Sequence, residues 1–170
     1  EASELTRERL AALHRSGGTF FKSVALGRLA LTLCESGDAD AAIASAEEAV
    51  RVARTYGELC WEAEALRILG EAKWATGAYD VAEVEADFTA AVAIARRQEA
   101  RSFELRAATS LARLWYGRGR AGEAYDLLAA VYGWYTEGFD RLDLVEARAL
   151  LGELASTLPA DGATARHNRP

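Results

Sequence analysis

The sequence predicts an all-α fold, a right-handed stack of antiparallel helical hairpins, on three observations. Alanine, leucine, glutamate and arginine, which are strong helix formers, dominate the 170 residues. Both prolines, Pro159 and Pro170, lie near the end of the chain, so no proline interrupts a helix before them. No stretch alternates apolar and polar residues as a half-buried strand does. We therefore expect about three hairpins with flanking helices and no sheet.

Internal repetition defines the hairpins. Three segments share one layout: a helix with a Leu-Ala or Leu-Gly pair, a glycine eight residues after the leucine, and a second helix rich in alanine. The leucines are Leu29, Leu69 and Leu111, which are separated by 40 and 42 residues. The glycines, which keep the same steps, are Gly37, Gly77 and Gly119. The sequence therefore predicts a repeat of about 41 residues.

Small residues indicate where the two helices of each hairpin cross. On the first helices they are Ala30, Gly70 and Ala112, and on the second helices Ala42, Val84 and Ala124 occupy the facing positions. The glycine after each first helix favours the left-handed conformation that ends a helix, and Asp38 and Asp80 are suited to cap the next one. We expect a close crossing at Gly70, where no larger side chain fits.

These signals give a layout of eight helices in one domain over residues 1–157. A leading helix is predicted near 3–14, hairpins near 19–55, 58–98 and 101–134, a capping helix near 142–155, and a tail over 158–170. The residues expected to form the apolar face of the capping helix are Leu144, Val145, Leu150, Leu151 and Leu154. Such a helix closes a stack, because terminal repeats need a polar outer side.

The stretch GRGRAG, from Gly117 to Gly122, matches the pattern G-x-G-x-x-G. That pattern indicates dinucleotide binding only after a buried strand and inside a βαβ unit. Here the preceding apolar residues recur at three- and four-residue steps, which indicates a helix, and Gly119 is the hairpin glycine. We therefore predict that the stretch serves the fold and that the chain holds no cofactor.

Charge and cysteine usage bound the partners and the compartment. The net charge of -6 and the pI of about 5.1 disfavour nucleic acid and anionic membranes as partners. No apolar run reaches the roughly 18 residues that span a bilayer, and no leader peptide opens the chain. Cys34 and Cys60 lack metal-ligand spacing, and we expect two buried thiols in a reducing, cytoplasmic compartment. The chain contains no methionine and is expected to be part of a longer protein.

No residue pattern predicts catalysis. His14 and His167 lie near opposite ends of the sequence without metal-ligand neighbours, and no Ser, His and Asp grouping is apparent. We expect a non-catalytic chain without a metal site.

Two further clusters have structural interpretations. Arginines 96, 97 and 101 are expected at the end of a second helix, where cations favour the negative end of the dipole. Trp134, Tyr135 and Phe139 are expected to pack as core before the capping helix.

The small-residue layout resembles the tetratricopeptide repeat. The positions that carry the resemblance between Leu111 and Val131 are Ala112, Trp115, Gly119, Ala124, Leu128 and Val131. The repeat of 40 to 42 residues is longer than the roughly 34 of the standard unit, and such longer hairpins look like those of bacterial regulatory proteins. The resemblance implies a solenoid of about three repeats.

A closer similarity covers residues 61–154, through the motifs ARS-x-ELRAATSLARLW and VYGW-(Y/F)-TEGFD. This part resembles the C-terminal region of large bacterial signalling proteins, in which a nucleotide cyclase or DNA-binding output domain is joined to a signal-transducing ATPase. The resemblance implies that this chain is the sensor arm. Since the chain has no G-x-x-x-x-G-K-(S/T) loop, any ATPase or cyclase activity would lie in other domains.

Stacked hairpins bind partners on a concave surface lined by their first helices. The residues expected to face this groove are Glu64, Arg67, Glu71, Trp74, Arg106, Thr109, Arg113 and Tyr116. They are suited to pair arginine with a partner carboxylate and to stack aromatic rings on apolar side chains. The alternative is an internal ladder, because Glu64, Arg67 and Glu71 are spaced to pair along one helix.

The first repeat offers Gly27 and Leu31 at the equivalent positions. It therefore lacks the lysine and asparagine that chaperone-tail-binding tetratricopeptide domains use there.

The function predicted from the sequence is a protein–protein interaction or regulatory sensor module, which binds a protein segment or other domains of its parent polypeptide. Two alternatives stay open. One is a small-molecule effector site between the repeats, and the other is a module for homo-oligomerisation, for example as a homodimer.

Overall fold

A computed structural model describes residues 22–57 and 61–158, which form seven α-helices and contain no strand. The helices are α1 Lys22–Glu35, α2 Ala39–Tyr56, α3 Glu62–Thr76, α4 Val81–Arg97, α5 Arg101–Gly117, α6 Ala121–Tyr132 and α7 Leu142–Thr157. The all-α prediction is confirmed for this part of the chain. The predicted leading helix, both histidines, Cys60 and the tail after Leu158 lie outside the described residues.

The chain divides into two compact units, residues 1–107 and 108–170. Unit 1 contains α1 to α4 and the first part of α5. Unit 2 contains the remainder of α5 with α6 and α7.

The turns within the hairpins follow the sequence prediction. Gly37, Gly77 and Gly119 have φ values of 81°, 63° and 76°, in the left-handed region that glycine adopts at little cost. The side chain of Asp38 accepts a hydrogen bond from the amide of Ala41, and that of Asp80 accepts one from the amide of Ala82. Both predicted caps are therefore formed.

The helix crossings are as close as the small residues indicate. In unit 1 Ala30 and Ala42 are fully buried, and in unit 2 so are Ala112 and Ala124. A Cβ atom at Gly70 would lie 2.6 Å from Cε1 of Phe88, well inside van der Waals contact. The predicted close crossing at Gly70 is thus confirmed, but the side chain that faces Gly70 is that of Phe88, one turn after the predicted Val84.

An ion pair joins each hairpin of unit 1 to the helix that follows it. Arg54 at the end of α2 contacts Glu62 of α3, with 2.7 Å between Nε and Oε1, and Arg96 at the end of α4 contacts Glu104 of α5 at 2.9 Å. Arg101 donates to the other oxygen of Glu104, also at 2.9 Å. Arg96 lies in the last turn of α4, as predicted, whereas Arg101 is the first residue of α5, so the predicted position was wrong for Arg101. Both arginines bind the buried carboxylate of Glu104.

The capping helix of unit 2 buries a different set of side chains from the one predicted. The buried residues of α7 are Leu144, Ala147, Leu150 and Leu154. Val145 is exposed and Leu151 is half-buried. The prediction was wrong for Val145 because the buried face follows steps of three and four residues from Leu144 through Ala147 and Leu150 to Leu154, and Val145 lies on a different side of the helix.

The aromatic residues before α7 are also more exposed than predicted. The Trp134 residue is 64% exposed and Phe139 is exposed as well, whereas Tyr135 is half-buried. The expectation of a packed core was wrong for Trp134 and Phe139, because both lie in the loop between α6 and α7. The ring of Phe139 packs at 5.9 Å from that of Tyr132.

Candidate functional site

Four predicted groove residues form one stripe along α3, because they follow each other at steps of three and four. They are Glu64, Arg67, Glu71 and Trp74. The stripe changes from buried to exposed: Glu64 and Arg67 are buried, Glu71 is half-buried and Trp74 is 37% exposed. Its two ends are therefore suited to different tasks.

The buried end of the stripe is an ion-pair ladder. Arg67 donates two parallel hydrogen bonds to the carboxylate of Glu64, both 2.9 Å long, and a longer one of 3.5 Å to Glu71. Parallel bonds of this kind combine charge with fixed geometry. Arg106 of α5 reaches the same carboxylate, with 2.6 Å between Nη2 and Oε1 of Glu64.

These contacts support the ladder alternative for Arg67. The charges of Arg67 and Glu64 are buried and paired with each other, so Arg67 is not presented to a partner in this arrangement. Removing one member would leave an uncompensated charge, which is costly in a buried site. The ladder therefore fixes the position of α3 relative to Arg106 within unit 1.

A pocket of about 480 Å³ opens in unit 1 between the first helices α1 and α3, beside Arg106. Its apolar lining consists of Val24, Leu31, Trp61, Ala65 and Ile68. All of its lining residues come from α1, from α3 and Trp61 just before it, and from α5, the helices predicted to line the groove. The sequence suggested a small-molecule site between repeats as one alternative, but it did not indicate that the first repeat would contribute to a pocket.

Four charged residues line this pocket: Arg28, Glu35, Glu64 and Arg106. Glu64 and Arg106 are paired with each other, as described above. Arg28 is exposed and its guanidinium forms no ion pair with any residue of 22–57 or 61–158. The pocket thus holds one cation whose charge no described carboxylate neutralises.

The predicted groove residues of unit 2 have mixed environments. Thr109 is buried, and Tyr116 is half-buried. Arg113 is exposed and lies 3.1 Å from the carboxylate of Glu146 on α7, which is exposed to a similar extent. Because both partners remain in contact with water, this pair is worth little and is easily exchanged for another.

The GRGRAG stretch follows helix α5, as predicted. Its first glycine, Gly117, is the last residue of α5, and no strand precedes it in the described residues. Arg120 lies over the ring of Trp115 at 4.5 Å and binds the carboxylate of Glu123 through two hydrogen bonds. The loop residues thus make contacts within the hairpin itself.

Cys34 is half-buried and free, where the sequence predicted a buried thiol. Burial raises the pKa of its thiol, and the nearby carboxylates of Glu71 and Glu35 raise it further. Because the nucleophile would be the thiolate, this environment disfavours nucleophilic chemistry at Cys34.

The part of the chain that the structure describes contains neither a metal-binding cluster nor a membrane-spanning helix. No group of three or more His, Cys, Asp or Glu side chains in 22–57 and 61–158 is arranged to hold a metal ion. Over the same residues, no helix has the length and apolar character needed to cross a membrane.

Comparison with known proteins links this geometry to a repeat family. The family model of the tetratricopeptide repeat matches residues 21–84, which include the first hairpin and the start of the second. No curated protein matches the chain. Tetratricopeptide repeats generally mediate protein–protein interaction, through the extended concave surfaces that stacked repeats create.

Solved structures show the same fold. Two of them contain nearly identical TPR-like repeats from a Podosopora anserina protein designated a kinesin light chain, one as a single-substitution variant. The variant has a TM-score of 0.69 at 21% identity and covers 92% of this chain and 76% of its own. The other has a TM-score of 0.67 at 21% identity, with coverages of 92% and 77%. The chain therefore has the TPR-like helical-repeat fold.

Proposed function

We propose that this chain is a non-catalytic interaction module, the regulatory sensor arm of a larger cytoplasmic signalling protein from a bacterium. Its partner is a protein segment, either from another protein or from another domain of the parent polypeptide. The TPR-like fold and the family match over residues 21–84 support an interaction role. The resemblance of residues 61–154 to the C-terminal region of cyclase and transcription-regulator proteins supports the signalling context.

The observation that carries the proposal is the exposed end of the α3 stripe. Trp74 packs edge-on against the ring of Phe88, with 6.4 Å between centroids, while 37% of the residue remains exposed. The indole is thus in contact with the hairpin while more than a third of the residue is accessible. A large aromatic held in this way loses little conformational entropy on binding, which favours it as an anchor for a partner side chain.

The ladder next to Trp74 supports the same proposal. Since Arg67 and Arg106 both bind the carboxylate of Glu64, the α3 backbone that carries Trp74 is held in place before any partner arrives. Prepared surfaces of this kind gain affinity because less ordering is needed on association. In unit 2, Arg113 and Tyr116 are the corresponding proposed contact residues.

The experiment is site-specific photo-crosslinking in the parent protein. A photoreactive phenylalanine analogue replaces Trp74, and in a matched control it replaces Thr89, which is exposed on the second helix α4. We expect position 74 to form an adduct with a defined protein segment, which mass spectrometry identifies, and position 89 to form none. Adducts from position 89 alone would place the working surface on the second-helix side.

The segment found in this way allows a quantitative test. Replacement of Trp74 by alanine should weaken binding of this segment at least about tenfold, because an aromatic anchor that becomes buried on binding is worth about 2 kcal/mol or more. The melting curve serves as the control for folding. Unchanged affinity would contradict the role of Trp74 as an anchor.

A further inference from the structure

We propose that the pocket between α1 and α3 binds a small apolar monocarboxylate. In this proposal the carboxylate pairs with Arg28 and the apolar body lies against Leu31 and Ile68. This is a second binding activity, separate from the contact of a protein segment with Trp74. It would make the sensor arm responsive to a small acid.

The size of the recess fits a small ligand. Its volume of about 480 Å³ lies in the range of about 300 to 1,000 Å³ that small-molecule sites occupy. Buried small residues form its inner part: Ser23 and Gly27 on α1 and Ala65 on α3. A Cβ atom at Gly27 would lie 3.2 Å from Cδ1 of Ile68, so the glycine allows α1 and α3 to approach closely beside the recess.

The apolar lining determines what the body of the ligand must be. Val24, Leu31 and Ile68 are branched aliphatic residues, and the Trp61 ring is held by a tilted contact with Phe103 at 5.3 Å. An aliphatic or aromatic group in the recess would remove apolar surface from water on both sides, at about 25 cal/mol for each Å². A ligand without an apolar part would leave these apolar side chains in contact with water.

The charges determine the head group. Two arginines line the pocket. Arg106 is paired with Glu64, and Arg28 is the one whose charge no described carboxylate neutralises. A guanidinium binds a carboxylate through two parallel hydrogen bonds. The remaining lining carboxylate, Glu35, lies seven residues along α1 from Arg28, about 10 Å at the rise of a helix. It would repel a second negative charge, so the pocket favours a monocarboxylate over a dicarboxylate.

The test uses the full chain with a defined pair of probes, 4-phenylbutyrate and its uncharged analogue 4-phenylbutyramide, at neutral pH. Binding is measured by saturation-transfer NMR and titration of ligand line widths. For a ligand of this size we expect a dissociation constant on the order of 1 mM for the acid. The amide should bind about tenfold more weakly or not at all, because it cannot form the charge-assisted pair.

Three variants locate the site. Arg28→Gln should reduce binding of the acid about tenfold while leaving the weak binding of the amide unchanged. The matched control is Arg118→Gln, which removes an exposed arginine that likewise forms no ion pair with a described residue. Leu31→Trp should fill the recess and abolish binding of both probes, and a circular dichroism melt of each variant checks its fold.

Several outcomes would overturn the proposal. Equal binding of acid and amide would exclude recognition of the charge, and equal losses in Arg28→Gln and Arg118→Gln would exclude a specific role for Arg28. Binding of peptides with a free C-terminal carboxylate, with none of 4-phenylbutyrate, would assign the pocket to a protein segment. Because no partner protein is present, these results are independent of crosslinking at position 74.

Discussion

The first and second hairpins cross at equivalent positions but with different side chains. By the repeat steps of 40 and 42 residues, the positions of the first hairpin that correspond to Gly70 and Phe88 are Ala30 on α1 and Ala46 on α2, both fully buried. In the second hairpin they are Gly70 on α3 and Phe88 on α4, and the ring of Phe88 occupies the space that a Cβ of Gly70 would need. The repeat thus fixes the position of the crossing along the helices. The side-chain volume at the crossing is shared by two alanines in the first hairpin and supplied by Phe88 alone in the second. Because protein interiors are closely packed, a larger side chain on one helix requires a smaller one on the facing helix.

The residue just before the crossing position of each second helix differs in charge between the two hairpins. Ser45 of α2 donates a buried hydrogen bond to the carbonyl of Leu26, 2.9 Å long. At the corresponding position of α4, Asp87 accepts from the ammonium group of Lys73 at 2.8 Å. The first hairpin is therefore tied together by a neutral bond and the second by an ion pair.

The largest effect is expected for Phe88→Ala, which empties the second crossing. Loss of a fully buried phenylalanine should lower the free energy of unfolding by about 3 to 5 kcal/mol. The counterpart Ala46→Gly removes one methyl group from the first crossing and should cost about 1 kcal/mol, chiefly from helix propensity. Urea denaturation of both variants measures the difference, and similar losses would mean that the two crossings are equally packed.

The next effect tests the space at Gly70. Gly70→Leu should overpack the second hairpin and cost about 1 to 3 kcal/mol, because Phe88 must be displaced. Gly152 of α7 is the matched control, since a Cβ atom there meets nothing within 4 Å. Gly152→Leu should be neutral or stabilising, because leucine has the higher helix propensity. An unchanged denaturation midpoint for Gly70→Leu would show that the assigned crossing is wrong.

A smaller difference in the free energy of unfolding is expected between variants of the two ion pairs that follow the hairpins. Glu104 is 1% exposed and binds both Arg96 and Arg101, whereas Glu62 binds Arg54. Glu104→Gln should cost about 2 kcal/mol, since charged hydrogen bonds to a buried group are lost. Glu62→Gln should cost less, about 1 kcal/mol, because the carboxylate of Glu62 pairs with one arginine whereas that of Glu104 pairs with two. Equal denaturation midpoints for the two variants would remove this distinction.

The smallest effect is a pH dependence that Glu48 gives to the first hairpin. A hydrogen bond from Arg51, together with the charges of Arg51 and Lys22, holds the pKa of Glu48 below its ordinary value. The corresponding position of the second hairpin is Ala90. Since the folded pKa is lowered, the stabilisation is present above the unfolded pKa of about 4.3 and is lost as the pH falls through the folded pKa.

Glu48→Gln should therefore lower stability at pH 7 by less than about 1 kcal/mol, as for other exposed pairs. The difference from the unsubstituted chain should shrink as the pH falls below about 4. Urea midpoints measured between pH 7 and pH 3 check this expectation. A difference that is independent of pH would show that the charge of Glu48 is not its cause.

The sequence by itself determined the helices, the hairpin turns and the crossings. These features depend on residues close together in the chain: the glycines at 37, 77 and 119, the capping aspartates and the small residues at fixed offsets from them. The pairs Arg54 with Glu62 and Arg96 with Glu104 were missed. Their common separation of eight residues and their 42-residue step were nevertheless present in the sequence as a signal.

Only the tertiary structure decided which charges are available for binding. Arg67 and Arg28 look alike in the sequence, yet Arg67 is paired within a buried ladder and Arg28 faces a pocket without a described ion-pair partner. The contact of Arg106 with Glu64 joins residues 42 positions apart, as helix spacing alone cannot predict. The physical reason is that pairing and burial depend on distances through space. Those distances are fixed by how whole helices pack, whereas turns and caps are fixed by the conformational preferences of a few neighbouring residues.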